Sequence, residues 1–176
     1  MTKFSIIAAI DKKNGLGKAG KLAWHFKGDL EHFKDITTRP VAPGKQNAVI
    51  MGSVTWYSLP ESVRPLADRT NIVLNFARDI VLPTGVLLAT SLDEAIAKAA
   101  ELPNLGEIFI IGGASVYKQA IKHPLCRKLY LTHIEAEFDC DTFFPAVDKS
   151  LFQETAASDW VEEKGVKYRF VEYQKV

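Results

Sequence analysis

The stretch Ile108-Phe109-Ile110-Ile111-Gly112-Gly113-Ala114-Ser115-Val116-Tyr117 decides how the chain folds. Its first four residues are apolar without a break. A run with no polar residue at alternate positions suits a strand covered on both faces. Two glycines end the run, and a helical segment, Ala114 to Lys122, starts at once. A strand that passes straight into a helix is part of a βαβ unit.

The same pattern recurs on either side. Phe4 to Ile10, Ala48 to Met51, Asn71 to Leu74, Val86 to Leu88 and Lys128 to Ile134 read as further strands. Helical segments lie between them: Asp29 to Thr38, Ser53 to Leu59, and Ser91 to Ala100. The last opens with Ser91 and carries Glu94 three residues later, a capping box. After Pro145 the character changes. Leu151 to Ala157 and Val166 to Tyr173 flank a polar turn, Asp159 to Gly165, and suit an antiparallel hairpin at one edge of the sheet. The expectation is a single α/β domain over residues 1–176 with a mainly parallel sheet.

Composition narrows the function. The 176 residues include 22 basic and 21 acidic ones, a net charge of +1, with no basic stripe for nucleic acid. No apolar run is long enough to span a membrane. Met1-Thr2-Lys3-Phe4 enters a strand directly, without a signal-peptide pattern, so a cytoplasmic protein is expected. Cys126 and Cys140 cannot build a disulfide framework and are expected to be free thiols. His25, His32, His123 and His133 show no ligand spacing, and no metal site is expected.

One carboxylate is out of place. At ~100° per residue, Phe26, Asp29, Leu30, Phe33, Ile36 and Thr37 share one side of a helix. Lys27, Glu31, Lys34 and Asp35 take the other. Asp29 therefore lies inside the apolar stripe with no basic partner on it. A buried carboxylate needs a partner or gives up its charge. Either a ligand or another part of the fold supplies that partner, or Asp29 is a helix cap. Gly112-Gly113 and Met51-Gly52-Ser53-Val54-Thr55 are both strand–glycine–helix junctions. Such junctions let a backbone approach a phosphate, although Gly112-Gly113 also suits a plain turn and Ser53 a plain N-cap. Two of them in one parallel sheet point to a nucleotide at the strand C-terminal ends. The G-x-G-x-x-G spacing of an ordinary dinucleotide fold is absent.

Taken in order, these pieces resemble the dihydrofolate reductase family over nearly the whole chain. Ile6-Ile7-Ala8-Ala9, Asn14-Gly15-Leu16-Gly17 and Leu22-Ala23-Trp24 are similar to its first strand and mobile loop. Asp29-Leu30-Glu31-His32-Phe33-Lys34 is similar to its first helix, and Met51 to Trp56 to its G-[RK]-x-T-W element. Arg64-Pro65-Leu66-Ala67-Asp68-Arg69-Thr70-Asn71 matches R-P-L-x-x-R-x-N. Ile110 to Tyr117 matches I-G-G-x-x-[VI]-Y, and Leu129 to Ile134 and Asp141 to Pro145 match the last two elements.

The resemblance implies an eight-stranded, mostly parallel sheet with a C-terminal antiparallel hairpin and four flanking helices. It implies reduction of 7,8-dihydrofolate to tetrahydrofolate with NADPH, in support of one-carbon metabolism. Asp29, Leu22, Trp24 and Thr132 match the catalytic group, Thr132 usually acting on the carboxylate through water. Ile7, Ala9, Leu30, Phe33 and Ile111 match the pterin pocket, Leu66 a benzoyl contact, and Arg69 the clamp on the glutamate α-carboxylate. Arg69 in a structural salt bridge is the competing reading. Ala8, Leu16, Gly17, Gly52, Ser53, Thr55, Asn75, Arg78, Ile111, Gly112, Gly113, Ser115, Val116 and Tyr117 match cofactor contacts. Asp141 matches the residue that holds the mobile loop closed. Diaminopyrimidine or pteridine antifolates are the implied inhibitors, and a monomer the implied state. Ala23 stands where the family has proline, and Ser53 where a basic residue meets the cofactor's 2′-phosphate, a charge that Arg78 supplies instead. The rivals are the reductase of riboflavin biosynthesis and a nucleotide-binding module without turnover. The R-P-L-x-x-R-x-N match and an intact Asp29 argue against them.

Overall fold

A computed structural model describes residues 1–176. The elements run β1 (Phe4–Ile10), β2 (Gly15–Lys18), β3 (Lys21–Leu22), α1 (Lys27–Thr38), β4 (Gln46–Gly52) and α2 (Ser53–Ser58). A 3₁₀ turn (Glu61–Val63), β5 (Thr70–Leu74), β6 (Leu87–Ala89), α3 (Leu92–Ala100), β7 (Leu105–Gly112) and α4 (Ala114–Ala120) follow. The chain ends with β8 (Cys126–Ile134), β9 (Thr142–Phe143), β10 (Phe152–Ala157), β11 (Val161–Glu163) and β12 (Val166–Lys175). No helix is long and apolar enough to cross a membrane.

The main sheet follows the order β10-β12-β8-β1-β7-β4-β5-β6, with short β11 added beside β12. All pairings from β8 to β6 are parallel, and β12 joins β8 and β10 antiparallel. The expected eight-strand path and edge hairpin are therefore present. The turn expected over Asp159 to Gly165 is more structured than its polarity suggests, because Val161–Glu163 pairs with β12 as β11. A second small sheet, β3-β2-β9, is absent from the sequence reading. Its strands are glycine-rich or two residues long, so no periodicity marks them.

The uninterrupted strands are buried on both faces, and successive side chains divide between two cores. Phe4, Ile6, Ala8 and Ile10 pack with Ile108, Ile110, Ala48 and Ile50 under α3 and α4. Ile7, Phe109, Val49 and Met51 point the other way, toward Trp56 of α2 and Phe33 and Ile36 of α1. This is the period-2 alternation of a strand with apolar residues at every position.

One local detail departs from the sequence reading and another was not read there. Ser91 Oγ accepts the Glu94 N–H at 3.1 Å, but the Glu94 carboxylate accepts the Thr90 N–H and hydroxyl and not the Ser91 N–H. Only half of the capping box forms. The second detail is Asn47, which is almost fully buried on β4. Its amide donates to the Thr37 and Arg39 carbonyls at 3.0 and 2.9 Å, and its oxygen accepts the Glu107 N–H at 2.9 Å. One side chain thus ties the C-terminal end of α1 to β4 and β7. Asn47→Ala strands these buried groups, and the expected loss is about 2–3 kcal/mol in a urea melt, with the slope of the transition unchanged.

Candidate active site

The C-terminal ends of β1 and β7 open onto a cleft of about 250 Å³, closed on its other sides by α1, α2, the start of α4 and the β2–β3 hairpin. This is where a parallel sheet with a reversal in strand order leaves a crevice. The reversal is visible at β7, which follows β6 in sequence but lies between β1 and β4. The cleft collects Ile7, Ala8, Ala9, Leu16, Gly17, Leu22, Asp29, Leu30, Phe33, Thr55, Ile111, Gly112, Gly113, Tyr117 and Thr132 from the sequence reading.

Asp29 lies in the first turn of α1 and is 8% exposed. It is no cap: Phe26 holds the N-cap position, and no side chain of its own caps the helix. The Thr132 hydroxyl on β8 donates to Asp29 Oδ1 at 2.7 Å, a direct contact where the family pattern implied water between them. Parallel pairing of β1 with β8 puts Thr132 opposite Ala9 and fixes that hydroxyl beside the cleft. No basic group pairs with the carboxylate. Burial therefore pushes Asp29 up to about 6; the Thr132 bond opposes this, and the negative charge of Glu163 adds to it.

Gly112 and Gly113 form the far wall. They are joined by a cis peptide bond, and Gly112 has φ +143°, a region that favours glycine. A side chain at Gly112 would also meet Thr55 Oγ1 at 2.8 Å. Strand end, glycine pair and helix start make a backbone surface with no side chain in the way. Tyr117 closes it from behind, its hydroxyl donating to the Ile7 carbonyl at 2.8 Å. Burial raises this phenol well above its ordinary value, so it stays neutral.

The β2–β3 hairpin covers the cleft mouth and is held at both ends. Asp11 accepts N–H groups from Lys13, Gly15 and Phe138 at 2.8, 2.7 and 2.9 Å. Burial alone would raise the Asp11 carboxyl, but these three bonds together hold it below the usual carboxylate range. Asp141 accepts the Ala19 N–H at 3.0 Å and donates its own N–H to the Gly17 carbonyl at 2.9 Å. Leu22 is left 55% exposed over the opening.

The remaining predicted residues lie outside the cleft lining. Trp24 is buried against Phe138, with no protein acceptor for its indole N–H. Leu66 is buried in the core beneath α2. Arg69 forms no salt bridge: Nε donates to the Ala67 carbonyl and Nη1 to Thr37 Oγ1, and the guanidinium lies 6.0 Å from the Phe33 ring. Burial lowers its proton affinity, and its other N–H groups have no protein acceptor. Gly52, not Ser53, is the N-cap of α2, and Gly52 allows α4 to approach, since a Cβ there would meet Val116 at 3.3 Å. Val116 is core, and Ser115 is exposed on α4. Asn75 and Arg78 begin the loop after β5, Arg78 exposed and unpaired at φ +56°.

Sequence reasoning missed several lining residues, among them His32, Val54, Ser58, Leu59 and Thr142. His32 stacks on Phe170 with centroids 3.7 Å apart, and burial lowers its proton affinity. Its place three residues after Asp29 was the one available signal. Asp11 was missed as well, though an aspartate between a strand and Asn14-Gly15 is a turn signal.

An α/β protein whose mainly parallel sheet opens onto an apolar cleft with one buried carboxylate is the class that fold and site define. A family model described as "Dihydrofolate reductase" matches residues 3–175. The chain is 42% identical to dihydrofolate reductase from Drosophila melanogaster, over 97% of this chain and 96% of that protein. It is also 42% identical to the Sus scrofa enzyme of the same name, over 96% of each. A solved structure of Schistosoma mansoni dihydrofolate reductase superposes with a TM-score of 0.88 at 38% identity, covering 99% of both chains. The chain belongs to the dihydrofolate reductase family.

Asp29 also sets a pH dependence of stability in the ligand-free protein. Its folded-state value is raised, so its favourable contribution is complete below the unfolded value of 3.8 and is lost as pH rises through about 6. That rise corresponds to about 3 kcal/mol. Asp29→Asn keeps an acceptor for Thr132 and carries no charge. The variant is expected to be more stable than the parent at pH 7, by up to about 3 kcal/mol, with the two converging near pH 4. Denaturant melts at both pH values check this.

Proposed function

We propose that this chain reduces 7,8-dihydrofolate to tetrahydrofolate with NADPH, and that Asp29 is its catalytic carboxylate. The observation that carries the reading is a buried carboxylate with one hydrogen bond, facing an apolar cleft. A dihydropterin presents a 2-amino group and a neighbouring ring N–H on one edge, and a carboxylate accepts both. Ile7, Ala9, Leu22, Phe33 and Ile111 hold the rings and exclude water. Thr132 fixes the plane of the Asp29 carboxylate. Arg69, with unused donors near Phe33, suits the α-carboxylate of the substrate tail, and Leu66 the ring before it.

The glycine pair, Thr55 and Tyr117 fit a nicotinamide dinucleotide, because they leave bare backbone where a Cβ would collide with Thr55. When bound, that cofactor supplies the hydride for pterin C6. Ala8, Leu16 and Gly17 lie on the same side of the cleft and belong to this half of the site. The pterin N5 must also gain a proton. A water admitted beside Leu22 is the donor, and the Asp29 charge raises the basicity of the bound ring. The same carboxylate suits diaminopyrimidine and pteridine inhibitors, and a cytoplasmic monomer fits the reading.

Two measurements test the proposal. Asp29→Asn is expected to bind NADPH as the parent does and to lose turnover at neutral pH by orders of magnitude. Part of the rate returns at low pH, where free substrate takes up its own proton. A variant that keeps most of its neutral-pH rate in the 340 nm assay rules out Asp29 as the catalytic group. The cofactor's 2′-phosphate needs a cation, and Ser53 supplies none. Arg78→Ala is expected to weaken NADPH roughly tenfold or more and NADH hardly at all. Equal losses in fluorescence titrations would move the role to another basic residue such as Lys118.

A further inference from the structure

We propose that Glu163 is a positioning residue for Asp29: from the far hairpin it replaces the missing N-cap of α1 and places a second negative charge behind the cleft. The inference rests on the catalytic reading of Asp29. Its geometry is independent of that reading.

An α-helix begins with backbone N–H groups that have no partner within the helix. In α1 the residue at the cap position is Phe26, which offers no acceptor. The Lys27 N–H instead donates to Glu163 Oε2 at 2.7 Å, and the Gly28 N–H to Glu163 Oε1 at 3.1 Å. Both oxygens are used on consecutive N–H groups, 136 and 135 positions away in sequence. The Tyr168 hydroxyl donates to the same Oε1 at 3.0 Å.

The surroundings fix this carboxylate in place. Tyr168 is buried on β12, where it pairs with Ile134 of β8, two residues beyond Thr132, and its ring stacks on Phe26 at 5.3 Å. Glu163 ends β11, and the Lys164–Gly165 turn that follows is pinned by Lys164 Nζ donating to the His25 carbonyl at 2.7 Å. A Cβ on Gly28 would run into the Tyr168 hydroxyl, so only glycine lets this hairpin approach the helix start. Asp29 follows Gly28 directly. Its carboxylate is thus held from one side by Thr132, and the two residues before it are held from the other by Glu163.

Charge acts in the same direction as position. The groups facing Asp29 are Thr132 from β8, Tyr117 from α4, Tyr168 from β12 and Glu163 from β11. Both phenols are pushed up by burial and stay neutral, so Glu163 is the charged neighbour among them. Glu163 itself is held below the usual range, first by the Gly28 N–H, and remains ionised where Asp29 titrates. It also covers the positive end of α1, which would otherwise favour an ionised Asp29. Removing the charge therefore favours ionisation of Asp29 in two ways.

The test is Glu163→Gln, with Glu163→Asp as the variant that keeps the charge. Asp29 is titrated directly by NMR in protein labelled at the aspartate carboxyl carbons, its signal assigned with Asp29→Asn. In Glu163→Gln the Asp29 midpoint is expected to fall by roughly half a pH unit or more. The acid limb of kcat/KM for dihydrofolate should move with it, while NADPH affinity stays unchanged. In Glu163→Asp the midpoint stays near the parent value. A Glu163→Gln variant that loses only melting temperature, with the Asp29 midpoint unmoved or raised, overturns the proposal and leaves Glu163 a helix cap. If Glu163→Gln does not fold, the titration of Glu163→Ala, which leaves the two N–H groups to water, decides by the same criterion. If the parent protein binds NADPH but does not turn over dihydrofolate, the proposed reaction fails, and the NMR titration still decides the role of Glu163.

Discussion

Burying the Asp29 carboxylate costs more free energy than one hydrogen bond from Thr132 returns. The protein accepts that imbalance and surrounds it with support. Strand pairing sets the Thr132 hydroxyl, the α1 start sets the backbone, and the other Asp29 oxygen has no protein donor beside a mostly apolar cleft. The unsatisfied acceptor is the group with most to gain from a ligand that brings two N–H donors.

The parallel sheet is what permits such a site. Strands covered on both faces give a rigid floor, and their C-terminal ends converge where the strand order reverses. β1 and β7 end at the cleft, and β8 brings Thr132 beside them, so residues far apart in sequence reach it on rigid backbone. The mouth is built differently. Its small sheet of glycine-rich and two-residue strands depends on Asp11 and Asp141 for its attachment. The floor is thus held by strand pairing and the cover by side-chain anchors at its two ends.

Much of this was legible. Uninterrupted apolar runs marked the strands, because a strand buried on both faces has no polar positions to alternate. The helical stripe singled out Asp29, because one carboxylate among apolar residues needs either a partner or a place at the helix start. Gly112-Gly113 marked the bare wall. The small sheet was not legible, since β3 and β9 have only two residues each and β2 is short and glycine-rich. Asp11 and His32 were not singled out either, because their partners Phe138 and Phe170 lie more than a hundred residues away.

The sequence by itself determined the fold class, the family, the lone carboxylate and the apolar walls. Each follows from local periodicity or from motifs that occupy adjacent positions. Only the tertiary structure decided that Thr132 touches Asp29 directly, that Arg69 has no carboxylate partner, and that Glu163 caps the helix carrying Asp29. The reason is physical. Hydrogen bonds and burial depend on distance in space, and Thr132 and Glu163 reach Asp29 and its helix through strand pairing and hairpin packing, across more than a hundred residues of chain.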